Sequence, residues 1–207
     1  MEDKNYLNDL KDIKEMMSKS SQFISLSGLS GVLAGIYALV GAYFANAILY
    51  ANVATFSNID YIIIPEEKMY TLLGIAFIVI TLSIITGISL SIKKPRKNNE
   101  KIWNPTSHRL LINFIIPLVV GGYLCLYLIE KEDFRLVAPL MLIFYGLACV
   151  NASKYTLGDV RYLGLIVIAL GMLNTLFIGY GLFFWALGFG FCHIFYGGMM
   201  WYKYERK

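Results

Sequence analysis

His193 and its neighbour Cys192 stand in "GFGFCHIFYGGMMWY", residues 188–202, the last apolar run of a 207-residue chain with two histidines and three cysteines. An imidazole inside such a run can bind a ligand, hand on a proton, coordinate a metal or haem, or complete a hydrogen bond within the fold. On a helix Cys192 points about 100° away from His193, so the adjacent pair makes no two-ligand metal site. The other histidine, His108, lies at the edge of a different run, about 15 Å away in depth at 1.5 Å per residue, which disfavours a haem held by both. The residues sharing the face of His193 at helical spacing are Ala186, Gly190 and Gly197, a small surface against which a helix or a flat ligand packs. Asn174, in the preceding run, is expected at nearly the same depth. A hydrogen bond from His193 to Asn174 or to a tyrosine would satisfy groups that hydrocarbon cannot. The candidate ligand-binding set is therefore His193, Asn174, Tyr196, Gly190 and Gly197.

Other chemistry is scarce. An intramembrane hydrolase needs paired aspartates, an activated serine with a base or a metal-binding cluster such as H-E-x-x-H, and the apolar runs offer none; no G-K-[ST] phosphate loop is present. Cys125, Cys149 and Cys192 are odd in number, lack C-x-x-C spacing and fall inside apolar runs, which argues against a disulfide framework or a zinc site. The acids Glu130, Glu132 and Asp133, with Asp60, Glu66 and Glu67, could gather a divalent cation, but Lys131 and Arg135 interleave them and a solvated loop explains them as well. No enzyme activity and no cofactor are expected.

The elements that must position His193 follow from composition. The chain is 57% hydrophobic and 15% charged, with a mean hydropathy of +0.60, whereas soluble domains carry about a quarter charged residues. A helix of about 20 apolar residues crosses a bilayer because it satisfies its own backbone polar groups. Six such runs lie at residues 23–48, 69–92, 110–129, 136–154, 162–179 and 182–202, none with a charge at its centre. "GYG" at residues 179–181 leaves a tight turn between the last two. The fold class is thus all-α, a polytopic six-helix transmembrane bundle (residues 23–207) that follows a cytoplasmic segment (residues 1–22). "ANA" at residues 45–47 resembles a signal-peptidase site, but a largely polar segment of 22 residues before a long apolar run does not fit a signal peptide.

Orientation comes from the loops. The N-terminus, second loop, fourth loop and C-terminus hold fifteen of the eighteen basic residues, whereas the opposite side holds Lys68, Lys131 and Arg135. The positive-inside rule then predicts a multi-pass protein of the cytoplasmic membrane with both termini cytoplasmic. The net charge of +4 reports this asymmetry and gives no support to nucleic-acid binding.

Within residues 1–22, Tyr6, Leu10, Ile13 and Met17 form one apolar face opposite Asp9, Lys11, Asp12, Lys14 and Glu15. This predicts an amphipathic helix that packs on the bundle's own loops or docks a cytoplasmic protein partner, with the basic residues of 93–109 as a second contact. In the first run Ser27, Gly31, Gly35, Ala38, Ala42 and Ala45 form a small-residue stripe, suited to a central helix or to a homo-oligomer contact. "IFYG" at residue 143 recurs at residue 194. That offset lays the third and fourth runs on the fifth and sixth, where Tyr145 matches Tyr196, Gly146 matches Gly197, and Leu142 holds the place that His193 takes, so that the histidine departs from an internal repeat.

The stretch "IKEMMSKSSQFISLSGLSGVLAGIYALVGAYFA", with the "IFYG" ends of later runs, resembles a family of small uncharacterised six-span membrane proteins of bacteria. The resemblance implies no activity. Two functions compete: a scaffold or regulatory membrane protein engaging a cytoplasmic partner, and a small transporter or binder of an apolar or amphipathic molecule between the fifth and sixth runs. A sealed, hydrogen-bonded His193 favours the first; a pocket lined by Asn174, His193 and Tyr196 favours the second.

Overall fold

A computed structural model of the chain describes residues 27–50, 66–97 and 105–206, and among these every element is helical. The helices are α1 (Gly28–Tyr50), α2 (Glu66–Lys97), α3 (Pro105–Glu130), α4 (Val137–Ala152), α5 (Val160–Leu176) and α6 (Gly181–Tyr204). A short 3₁₀ turn, Phe134–Leu136, leads into α4. All six apolar runs are therefore helices, and five are long and apolar enough to cross a membrane. The exception is α5, with 17 residues, or about 26 Å at 1.5 Å per residue. It stops short of the expected residue 179 because Phe177 leaves helical geometry (φ −110°, ψ 72°). The expected amphipathic helix at 1–22 and residues 98–104 of the basic segment lie outside the described residues.

The sequence accounts for how the ends are made. Pro105 opens α3 and Pro139 sits in the first turn of α4, where an amide would lack a helical partner in any case. The α3–α4 turn closes with Glu132 at φ 56° and its amide bonded to the Ile129 carbonyl. Gly179, at φ 92°, makes the turn into α6. Polar side chains on α2 return to their own backbone: Thr71 donates to the Glu67 carbonyl, Ser83 to Val79 and Thr86 to Leu82. Lipid offers them no other partner.

Packing is by small residues and apolar filling. Leu142 and Cys149 of α4, Leu157, Val160, Leu163 and Val167 at and on α5, and Tyr196 and Met200 of α6 form the buried core. Gly146 of α4 and Gly164 of α5 lie so close that a methyl group on either would meet the other's carbonyl oxygen. Outside this core, α1 packs on α6, α2 on α1 and α3 on α4. No residue of the apolar stretch of α2 is buried, and Phe77, Ile78, Ile84 and Ile88 stand exposed along it. An apolar surface of that extent belongs in lipid rather than water.

The small-residue stripe of α1 is taken up within the chain. Ala38, Ala42 and Ala45 are buried, Gly31 abuts Gly197, and Gly35 abuts Gly190 and Ile194. The face suited to a helix of the same bundle or to a second copy is occupied by α6. The repeat does not extend to helix pairing: α4 packs closely on both α3 and α5, whereas α6 packs mainly on α1. Its glycines are still used alike, because Gly146 and Gly197 each let a neighbouring backbone approach.

Candidate functional site

His193 sits near the middle of α6, just after a π-helical stretch, Ala186–Phe191. There the amide of Cys192 bonds to the Leu187 carbonyl, five residues back. Returning from five-residue to four-residue pairing skips one carbonyl near the end of such a stretch, and that oxygen needs another donor. The ring of His193 lies where such a donor is wanted, with Nδ1 2.9 Å from the Gly188 carbonyl oxygen. A carbonyl only accepts, so Nδ1 carries the hydrogen. Nε2 lies 2.6 Å from the Tyr145 hydroxyl, which then donates to it. Both nitrogens are satisfied by a neutral ring, and His193 is buried.

Aromatic rings close around this pair. Tyr145 lies 5.2 Å from the His193 ring and 5.0 Å from Phe189, while Phe189 stacks on His193 at 6.0 Å and 22°. Phe114 meets Tyr145 edge-on at 6.1 Å, and Trp185 lies 5.2 Å from Phe189. Such rings fill space around the imidazole without competing for its hydrogen bonds. Cys149, one turn further along α4, is buried beside this group of rings in the core.

Of the five candidate ligand-binding residues, four are brought to one helix and one is not at the expected depth. His193 and Tyr196 share the buried face of α6. Gly190 and Gly197 face α1 and are filled by it: a methyl group on Gly197 would fall 2.5 Å from the Val32 nitrogen, and one on Gly190 would meet Leu39. The small face therefore holds a helix, not a flat ligand. Asn174 is buried on α5, but it is not the partner of His193. The end of α6 meets the start of α5, where Lys203 Nζ is 2.8 Å from Asp159 Oδ2. Fifteen residues inward along each antiparallel helix bring Asn174 level with Gly188, about five residues or 7–8 Å from His193 in depth. The tyrosine option names the right chemistry, and the residue is Tyr145. The repeat offset already paired Tyr145 with Tyr196, one turn from His193, but pairing by offset does not reveal which helix faces which.

Among the described residues, charged side chains pair at the helix ends on two sides. On one side Asp159 accepts from Lys203 and from the Tyr204 hydroxyl at 3.0 Å. The Lys203 hydrogen bond foremost, with help from Tyr204, holds the Asp159 carboxyl below the usual carboxylate range. Beside it, Glu205 accepts the Gly28 amide at 2.6 Å and the Ser27 hydroxyl at 3.3 Å. A carboxylate is thus supplied to the N-terminal end of α1 from the far end of the chain, where free amides and the helix dipole favour it. On the other side Arg135 makes a two-point contact with Asp133 at 2.9 and 3.2 Å, which lowers that carboxyl's pKa. Lys131 lies 3.9 Å from Glu130. For the cation proposed from the acids, Asp60 lies outside the described residues. Among the described residues no three of His, Cys, Asp and Glu come together as a metal would need.

No family model, curated protein or solved structure matches the chain.

Proposed function

We propose that this chain is a six-span protein of the cytoplasmic membrane, both termini cytoplasmic, acting as a non-enzymatic scaffold or regulator. Its partner is a cytoplasmic protein, engaged through residues 1–22 and 93–109.

The contact between the start of α1 and the end of α6 supports six crossings. Both helices are of membrane length, and the Gly28 amide touches Glu205. Ends that meet on one face require an even number of crossings between and including them. Five would separate these ends by about 30 Å of hydrocarbon. The helix in question is α5, whose start meets the end of α6 through Asp159. Exposed Tyr162 and Tyr180 stand at its two ends, as interfacial anchors do.

The observation that carries the functional reading is the closed hydrogen bonding of His193. Its two nitrogens are spent on Gly188 and Tyr145, and the glycines beside it are occupied by α1. The ionisable side chain within the apolar part of α6 is thereby a structural one, and recognition is left to the segments outside the bilayer. The test compares two variants in cells whose phenotype depends on the gene. Removing residues 2–22 abolishes the phenotype while the protein still inserts, and a photoreactive side chain at Lys14 or Lys101 forms a discrete protein adduct. His193→Leu retains the phenotype. A His193→Leu protein that inserts at normal level yet loses the phenotype would sink the reading.

A further inference from the structure

Among the described residues, two side-chain polar atoms are buried without a hydrogen-bond partner: Asn174 Nδ2 and the Tyr196 hydroxyl. Asn174 is 2% exposed and Tyr196 8%, so bulk solvent does not serve either. Both line the seam between α4, α5 and α6, and they flank the His193–Tyr145 pair. Asn174 is level with Gly188 on one side, while Tyr196 lies one turn from His193 towards Asp159 on the other. A buried donor or hydroxyl left unmatched is costly, most of all in a medium without water of its own, and native proteins answer it with a partner or an internal water.

Each location has other polar groups in its neighbourhood. The Tyr196 hydroxyl lies within electrostatic range of Cys149, Asp159 and Tyr204, groups that accept or donate from α4, the start of α5 and the end of α6. The Asn174 amide lies level with the π-helical stretch of α6, where the backbone is widened and carbonyl pairing changes register. It needs an acceptor, and a water bonded to a carbonyl there supplies one.

We propose that the α4–α5–α6 seam holds two internal water molecules, one on Asn174 Nδ2 and one on the Tyr196 hydroxyl. With them, polar groups follow one another along the seam from Asn174 through Gly188, His193, Tyr145 and Cys149 to Tyr196 and Asp159. The seam is then the wet interior of an otherwise apolar bundle, and its ligand is water rather than an amphipathic molecule.

Water-edited solid-state NMR on the full chain in bilayers of deuterated lipid tests this directly. The Asn174 side-chain nitrogen and the Tyr196 ring carbons gain magnetisation from water as fast as the exposed Tyr204 ring. Leu142 and Val167, fully buried and apolar, gain it slowly. Asn174→Leu and Tyr196→Phe assign the signals, and the new ring of the Tyr196→Phe variant lacks the fast transfer. If Asn174 and Tyr196 in the unmodified protein gain magnetisation as slowly as Leu142 and Val167, the waters are absent and the proposal fails. Slow transfer accompanied by contacts to a co-purified organic molecule overturns it equally, in favour of a ligand.

Discussion

Adding one methyl group at either of two adjacent glycines of α6 should have opposite effects. At Gly197 the new Cβ would stand 2.5 Å from the Val32 nitrogen and 2.6 Å from the Gly28 oxygen, both backbone atoms of α1 that no rotamer change can remove. Ordinary contact begins at 3.4 Å, so α1 and α6 must part by about 1 Å where they now touch, losing dispersion contacts that fall off steeply with distance. Overpacking of this kind costs about 1–3 kcal/mol, offset by up to about 1 kcal/mol from replacing glycine by alanine in a helix. At Gly198 nothing lies within 4 Å of the added carbon, so only the favourable helix term remains. Gly197→Ala is therefore less stable than the parent by up to about 2 kcal/mol. Gly198→Ala is equal to the parent or more stable. For a chain of this size, at about 2–4 °C per kcal/mol, the two variants should be separated by about 2–12 °C in midpoint, measured by thermal unfolding of the purified protein in one detergent. Midpoints that move together, in either direction, would refute the claim that α1 and α6 meet backbone to backbone.

Three further outcomes follow from the same contacts. Tyr145→Phe removes the donor to His193 Nε2 and leaves that nitrogen buried without a partner, which should cost about 0.6 kcal/mol, the average for hydrogen bonds between membrane helices, and up to about 1.7, read by denaturant titration; a neutral result would mean that the His193–Tyr145 bond is not formed. Glu205→Ala uncaps α1, and hydrogen exchange of the Gly28 amide should rise while that of the α4 amides does not; unchanged exchange at Gly28 would refute the cap. Asp159 has a depressed carboxyl pKa through Lys203 and Tyr204, so its stabilising contribution is full above the usual carboxylate range and fades as pH falls through the lowered value. Asp159→Asn should lower stability at neutral pH and flatten the acid limb of a stability–pH profile, and an acid limb of the same depth in both proteins would remove that pair from the account.

The runs that fold into helices were legible because lipid permits an apolar segment few alternatives. The small stripe of α1 was legible too, since Gly31, Gly35 and Ala38 at helical spacing have one physical use, close approach. Which helix fills the stripe was not, because a stripe suits α6 and a second copy equally. Asn174 was misplaced for a related reason: depth counted from run ends carries an error of a turn or more, and α5 ends at Leu176 rather than at 179. The π-helical stretch has no sequence signature beyond the glycines Gly188 and Gly190, yet it decides that His193 turns its Nδ1 to Gly188. The pairing with Tyr145 needed the packing of α4 against α6, which periodicity does not encode.

The claim on which the rest depends is that α5 crosses the bilayer, and labelling of single cysteines tests it most directly. In a protein whose Cys125, Cys149 and Cys192 are replaced, Lys154→Cys before α5 and Tyr180→Cys after it are exposed in turn to a membrane-impermeant thiol reagent in intact cells and in inside-out vesicles. Position 180 should react only in intact cells and position 154 only in inverted vesicles, with Arg206→Cys behaving as position 154 does. Reaction of positions 154 and 180 from the same side would contradict the account.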